Sequence, residues 1–399
     1  MKKRIYSIVI LCGIFTASLT GCKNEQDFSN TYNPKTDYQY FYHPQGGRIH
    51  IAATESGYYF LNGNYIYYAD KTAMKPVLMN NRPEEEYLGE EKTSEEDNSA
   101  YTNGDFLAVY GDKLYTIQLG KPSLDKDNKR VQKIELIELS KDGSSRKKIL
   151  AFDFQPQSIA IHRGIVYYTS KDFSKQSETE YRIMKYNLEK PFSKPEPIYT
   201  GNLQNGNIQD IVPYGKNVYF IEFGQNMSRT MRYDIEDKTV ARILSDEDTV
   251  STGIPTIFNN KLIFSEFRGN PDDEKARILY SSDLGGNNIE EIPIKRDFVS
   301  NCYFDGSYLF LRPVWFYLRD DKYKHIPDEI TVYDSQYRII DKVDSSFYEG
   351  LHYIVAGDDD YMFVYYAKDG YNYIDYLDKK SIGSGKLAFK NLIKTPQQK

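Results

Sequence analysis

Arg163-Gly164-Ile165-Val166-Tyr167-Tyr168, followed downstream by Ile183-Met184-Lys185-Tyr186-Asn187, is the stretch whose reading decides the fold. Arg163-Gly164 is a two-residue hairpin signal, because glycine takes the left-handed backbone that a tight turn between twisted strands needs. Ile159-Ala160-Ile161 leads into it, an apolar-aromatic run leaves it, and a third strand ends in Tyr186 and a polar turn residue. Pro197-Ile198-Tyr199 supplies a fourth strand. The unit is therefore four short antiparallel strands.

The unit recurs along the chain. Second strands carry Tyr59, Tyr115, Tyr167, Tyr219, Ile263, Leu309 and Phe363, separated by 44 to 56 residues. The turns before them are again hairpin chemistry: Gly111-Asp112, Gly215-Lys216, Asn259-Asn260, Asp305-Gly306 and Asp358-Asp359. Third strands end in the same way at Tyr233-Asp234, Tyr280-Ser281 and Tyr333-Asp334. A four-strand repeat at this period is the signature of a propeller blade, since one sheet cannot bury both faces alone and a radial stack can. The sequence predicts an all-β chain: a β-propeller of seven four-stranded blades over residues 48–393, with no substantial helix. Tyr38-Gln39-Tyr40-Phe41-Tyr42 alternates like a strand outside the seven units, so residues 38–47 are expected to supply a closing strand or to cover a blade edge.

Composition agrees. The 399 residues hold 37 Tyr and 21 Phe against one Trp, and aromatic residues favour pleated, half-buried surfaces. A formal net charge of -6 excludes nucleic-acid binding through a basic surface.

The start of the chain says where the protein works. Lys2-Lys3-Arg4 precedes an apolar run, Ile5 to Leu19, that is short for a membrane span. Leu19-Thr20-Gly21-Cys22 follows, then the polar Lys23-Asn24-Glu25-Gln26-Asp27. This is a secretory signal, and its last four residues resemble the bacterial lipoprotein signal. That resemblance implies removal of residues 1–21, diacylglyceryl transfer to the Cys22 thiol, and an extracytoplasmic protein lipid-anchored to the bacterial cell membrane. Residues 22–37 read as the lipidated cysteine and a flexible tether. Cys12 would leave with the signal, so Cys302 would be the one free thiol and no internal disulfide could form.

The repeats over residues 48–393 resemble those of uncharacterised lipid-anchored propeller lipoproteins of Firmicutes, with Tyr-rich blades of the low-density-lipoprotein-receptor type. Some relatives carry paired cysteines after the first blade; Leu78-Met79-Asn80-Asn81-Arg82-Pro83-Glu84 has none here. The resemblance implies a secreted binding propeller and no reaction.

Catalytic signals are missing. His43, His50, His162, His325 and His352 show no metal-ligand spacing, and no nucleophile elbow, phosphate loop or dinucleotide fingerprint is present. No cofactor or metal is expected. Asp125-Lys126-Asp127-Asn128 lacks the glycine and distal glutamate of a calcium loop, and Glu84 to Asp97, with eight acidic residues, reads as a solvated loop. Length is concentrated in the connections between second and third strands, which share one face. There Trp315-Phe316-Tyr317, flanked by Arg312 and Arg319, combines the residue types that dominate interfaces. The expectation is a non-enzymatic binding module taking a protein, peptide or glycan on that loop-rich face. Trp315, Phe316 and Tyr317 would be its apolar anchor, with Arg312 and Arg319 as polar contacts. The alternatives are an envelope enzyme with carboxylates at the central channel, or an accessory subunit of a transporter or peptide-immunity system.

Overall fold

The computed structural model describes residues 28–43, 50–79 and 99–397, apart from 125, 127, 129, 173–179, 202, 204–205, 226, 245–250, 268–276, 295–299, 314–326, 347, 349–351 and 356. The signal, Cys22, the acidic loop 84–97 and the cluster from Trp315 to Arg319 lie outside the described residues.

Seven antiparallel sheets form a ring, a seven-bladed β-propeller as the repeat predicts. Blade three is typical: Ile159–His162, Ile165–Asp172, Glu180–Asn187 and Glu196–Thr200 pair in chain order. Blade five departs from it, because its innermost strand is broken into Ser251–Thr252 and Thr256–Phe258. Second strands are continuous apolar runs because neighbouring blades cover both of their faces. All six residues of Gly57–Asn62 are buried, and only the last of Asn217–Phe223 is not. Outer strands meet water, as at Thr239–Ile243 and Glu290–Glu291. The hairpin signals hold: Arg163 (φ 48°) with Gly164 (φ 77°), and Asn259 (φ 52°) with Asn260 (φ 56°), take the left-handed backbone of tight hairpin turns.

The ring closes without exchanging a strand. Blade one comes wholly from Ile51–Ala53, Gly57–Asn62, Tyr65–Asp70 and Pro76–Leu78, and blade seven wholly from His352–Val355, Tyr361–Lys368, Tyr371–Asp378 and Phe389–Pro396. Closure rests on side chains. Tyr58, Phe60, Phe363, Ile374 and Leu392 form one buried cluster across the seam. Beside it, Lys71 Nζ meets Asp358 at 3.1 Å and Tyr58 donates its hydroxyl to the same carboxylate at 2.8 Å.

Tyr38–Tyr42 is not a strand. Tyr40–Tyr42 is a 3-10 turn, and the segment lies over the mouth of the channel. The reason is geometric. A closing strand needs a straight edge of evenly spaced donors, whereas the backbone donors that meet residues 35–41, Gly111 N, Arg163 N and Gly357 N, come singly from turns of blades two, three and seven.

Candidate functional site

Antiparallel blades give the propeller two unlike faces. The turns joining first to second and third to fourth strands lie on one face; the second-to-third connections and the links between blades lie on the other. Residues 28–43 are docked on the first face. The stretch 28–37, expected as tether, is thus part of the folded ring.

The docking is built from local turn chemistry. Asn33-Pro34 opens a turn in which Asn33 Oδ1 accepts from Lys35 N (3.0 Å) and Asn33 O from Asp37 N (2.8 Å). That turn frees the carbonyls of Lys35 and Thr36, which accept from Gly111 N of blade two and Arg163 N of blade three, each at 2.7 Å. Asp37 then grips Arg163 bidentately, Nε at 2.8 Å and Nη2 at 3.0 Å, with side chains 2% and 8% exposed. Tyr38 N donates to His162 Nδ1 (3.2 Å), while His162 Nε2 meets the Gly215 carbonyl at 3.0 Å. A carbonyl only accepts, so Nε2 carries a proton towards Gly215 O while Nδ1 accepts from Tyr38 N.

Further along, Gln39 pairs with the Ala53 backbone of blade one through both its amide oxygen (2.8 Å) and nitrogen (2.7 Å). Tyr40 packs edge-on to Tyr214 of blade four, Phe41 O accepts from Gly357 N of blade seven (2.9 Å), and Tyr42 is fully buried against Phe363. Tyr40–Tyr42 also lies beside Thr256–Phe258 of blade five, and Tyr40 Oη lies near Gly306 of blade six. One segment therefore bonds to or packs against blades one, two, three, four and seven and lies beside blades five and six. His43 completes it: Nδ1 meets Tyr38 Oη, and Nε2 lies 3.2 Å from Asp210 Oδ1. Asp210 sits at a bulge of the innermost strand of blade four with φ 56°, a strained conformation held by its surroundings. Burial, then the Asp210 charge, raises the Tyr38 phenol well above its ordinary range.

Besides Asp210, which meets the His43 imidazole, the carboxylates Asp37, Asp305, Asp358 and Asp359 around this mouth have cationic or hydroxyl partners. Asp305 is paired to the buried Lys379, whose ammonium also meets the Asp358 carbonyl. Burial pushes the Asp358 carboxyl up, but Lys71 and the hydrogen bonds from Tyr58, Tyr361 N and Asp360 N outweigh it and hold the group below its usual range. Asp359 accepts from Ser307 Oγ at 2.6 Å. Between the docked segment and the turns of blades one, two, six and seven lies a cavity of about 940 Å3. Tyr32, Tyr40 and Phe41 give it an aromatic wall, and Lys35, Lys71, Asp112 and Asp359 stand among its polar lining. Its volume suits a small organic ligand. Among the described residues, no group of three or more histidine, cysteine or carboxylate side chains could hold a metal ion.

Arg312, expected as a polar contact for a ligand, is only 4% exposed. Its Nε and Nη2 bind Asp328 at 3.0 and 2.9 Å, and Ser345 Oγ lies 3.1 Å from Nε. It ties the second strand of blade six to the third and fourth rather than reaching solvent. Trp315, Phe316, Tyr317 and Arg319 belong to the adjoining 314–326, outside the described residues. His43 and His162, which show no metal-ligand spacing in the sequence, have a structural part here, holding the docked segment at the channel mouth. No spacing rule could flag these contacts, because His43 meets Asp210 across 167 residues and His162 meets Tyr38 across 124.

No family model matches the chain, and no curated protein matches it. Solved structures do resemble it in fold. The structure of a prolyl endopeptidase, one of two described together, gives a TM-score of 0.54 at 12% identity over 90% of this chain and 51% of its own. Prolyl oligopeptidase B from Galerina marginata gives 0.53 at 12% identity over 86% and 50%, and the tricorn protease gives 0.51 at 11% over 91% and 36%. The chain spans about a third to a half of these proteins. At such identities the likeness shows the propeller and nothing of its chemistry.

Proposed function

We propose that the protein is an extracytoplasmic lipoprotein, anchored through Cys22, whose propeller is a binding module without a reaction of its own. The docked segment carries this reading. It fills the mouth of the channel, where the rival reading would put catalytic carboxylates, and Asp37, Asp305 and Asp358 are each held there by a cation. With the channel mouth covered in this way, the long second-to-third connections on the opposite face are the surface this reading assigns to a macromolecular partner. Its partner would be a protein, peptide or glycan meeting the aromatic cluster Trp315, Phe316 and Tyr317 beside Arg319.

Two measurements test the reading. Cys22→Ala should move the protein from the detergent phase to the aqueous phase in phase partitioning; unchanged partitioning refutes the anchor. A photo-crosslinking side chain at position 317 in intact cells should capture a partner that the same group at the exposed Val77 of blade one does not. Trp315→Ala should then weaken that partner's binding about thirtyfold, the effect of losing an interface aromatic worth about 2 kcal/mol. Equal capture at both positions refutes the loop-rich face. A small-ligand role for the cavity has the aromatic wall of Tyr32, Tyr40 and Phe41 in its favour, and Phe41→Ala leaving partner capture intact would separate it from the loop-rich face.

A further inference from the structure

The docked segment also fixes where the anchor must lie. Ser29 and Asn30 rest directly on the Gly215 turn of blade four: Asn30 O accepts from the Tyr214 hydroxyl at 3.0 Å, and a Cβ added to Gly215 would fall 2.2 Å from Asn30 Oδ1. Phe28 lies six residue steps beyond Cys22. At about 3.3–3.6 Å per residue, that chain reaches about 20 Å however it is arranged. A tether running to residue 37 would reach more than about 50 Å on the same scale and leave the ring free to tumble. With residues 28–43 docked, the face of tight turns is held close to whatever holds Cys22.

A second, independent feature lies on that same face. Between the third and fourth strands of blade three, Lys190-Pro191-Phe192-Ser193-Lys194 presents Phe192 at 99% exposure. The presentation is built. Ser193 donates both its N–H (2.9 Å) and its hydroxyl (2.7 Å) to Lys190 O, and the Tyr186 hydroxyl donates to Pro191 O at 2.9 Å. Leu188 N donates to Gly164 O at 2.8 Å, which sets this loop beside the inner turn of its blade. A large aromatic held fully in water and flanked by two lysines has the profile of an interfacial contact, with the ring entering the boundary between headgroups and acyl chains and the ammonium groups meeting anionic headgroups.

We propose that the face of tight turns lies against the lipid bilayer, with Phe192 in the headgroup region between Lys190 and Lys194. The loop-rich face then points away from the membrane, towards soluble partners. The proposal rests on the reading of Cys22 as the anchor.

Tryptophan fluorescence tests it, because the chain has a single Trp. Lipidated full-length protein is reconstituted into vesicles of phosphatidylcholine and phosphatidylglycerol, with and without brominated acyl chains. In the variant Trp315→Phe, Phe192→Trp, the indole should be blue-shifted and quenched by the brominated lipid, as expected about 5–10 Å into the interface. In the wild-type chain, Trp315 should not be quenched. A variant that partitions into detergent yet shows no quenching at position 192 overturns the proposal and leaves the anchor standing. A blue shift without quenching also overturns it, since a protein surface such as a second copy then covers the site. Quenching of Trp315 instead reverses the orientation. Failure to partition into detergent refutes the anchor itself.

Discussion

Asp37→Asn probes the attachment of residues 28–43 without changing the size of the side chain. The wild-type carboxylate makes two hydrogen bonds to Arg163 and accepts a third from Asn33 N at 3.1 Å. Its partner guanidinium is 8% exposed, so neutralising Asp37 takes a bidentate counter-charge from a buried cation. Breaking a buried pair from one side costs about 3–5 kcal/mol. At about 1.4 kcal/mol per tenfold, local opening of the segment should become roughly two to three and a half orders of magnitude more frequent, or the segment should detach outright if its docking is worth less. Native-state hydrogen exchange reads this directly. Gly111 N, Arg163 N and Gly357 N belong to the ring but donate to Lys35 O, Thr36 O and Phe41 O of the segment. These three amides should lose protection, while amides of second strands such as Val218 and Tyr219 keep theirs. Wild-type protection at all three sites would refute the claim that the Asp37–Arg163 pair holds the mouth closed. Equal loss throughout the ring would show that the segment is part of the global folding unit rather than a separately docked element.

Three further outcomes follow from the packing. Phe363→Ala removes a fully buried ring from the seam between blades seven and one, 5.0 Å from the Tyr58 ring, and should cost about 3–5 kcal/mol in urea unfolding, while Phe192→Ala on the surface should stay within about 0.5 kcal/mol. Lys379→Met should destabilise strongly by stranding Asp305, and adding Asp305→Asn should recover much of the loss because asparagine still accepts from Ser307 N and Tyr308 N, at 2.9 and 2.7 Å in the wild type. The Asp358 carboxyl is held below its usual 3.8, so its stabilisation is full above that pH and lost as pH falls through the lower native value; the gap in unfolding midpoint between wild type and Lys71→Met should narrow on acidification from pH 7.

The blades were legible in the sequence because their determinants are local. A hairpin dipeptide such as Arg163-Gly164 needs only its own backbone preference, and an apolar run such as Asn217-Val218-Tyr219-Phe220 needs only to be covered on both faces, whatever covers it. Seven repetitions of that grammar leave a closed ring as the arrangement that buries every face. The channel mouth was not legible in this way. Tyr38-Gln39-Tyr40-Phe41-Tyr42 has the alternation of a strand, and Asn33 to Asp37 has the composition of a tether. What they become is decided by groups distant in sequence: Arg163 and His162 meet this segment across 126 and 124 residues, and Asp210 meets His43 across 167. Those partners come together only once the blades have closed into a circle, and donors offered one by one from the turns of separate blades ask for a turning chain where a straight sheet edge would have accepted a strand. Arg312 teaches the same lesson, since its neighbours in sequence suggest an exposed contact and its neighbours in space, Asp328 and Ser345, bury it. The sequence by itself determined the blades, their turns and their number. Only the tertiary structure decided which end of the channel is filled, which charges are matched, and how short a reach separates the ring from Cys22, because each of these depends on groups that closure alone brings within hydrogen-bonding distance.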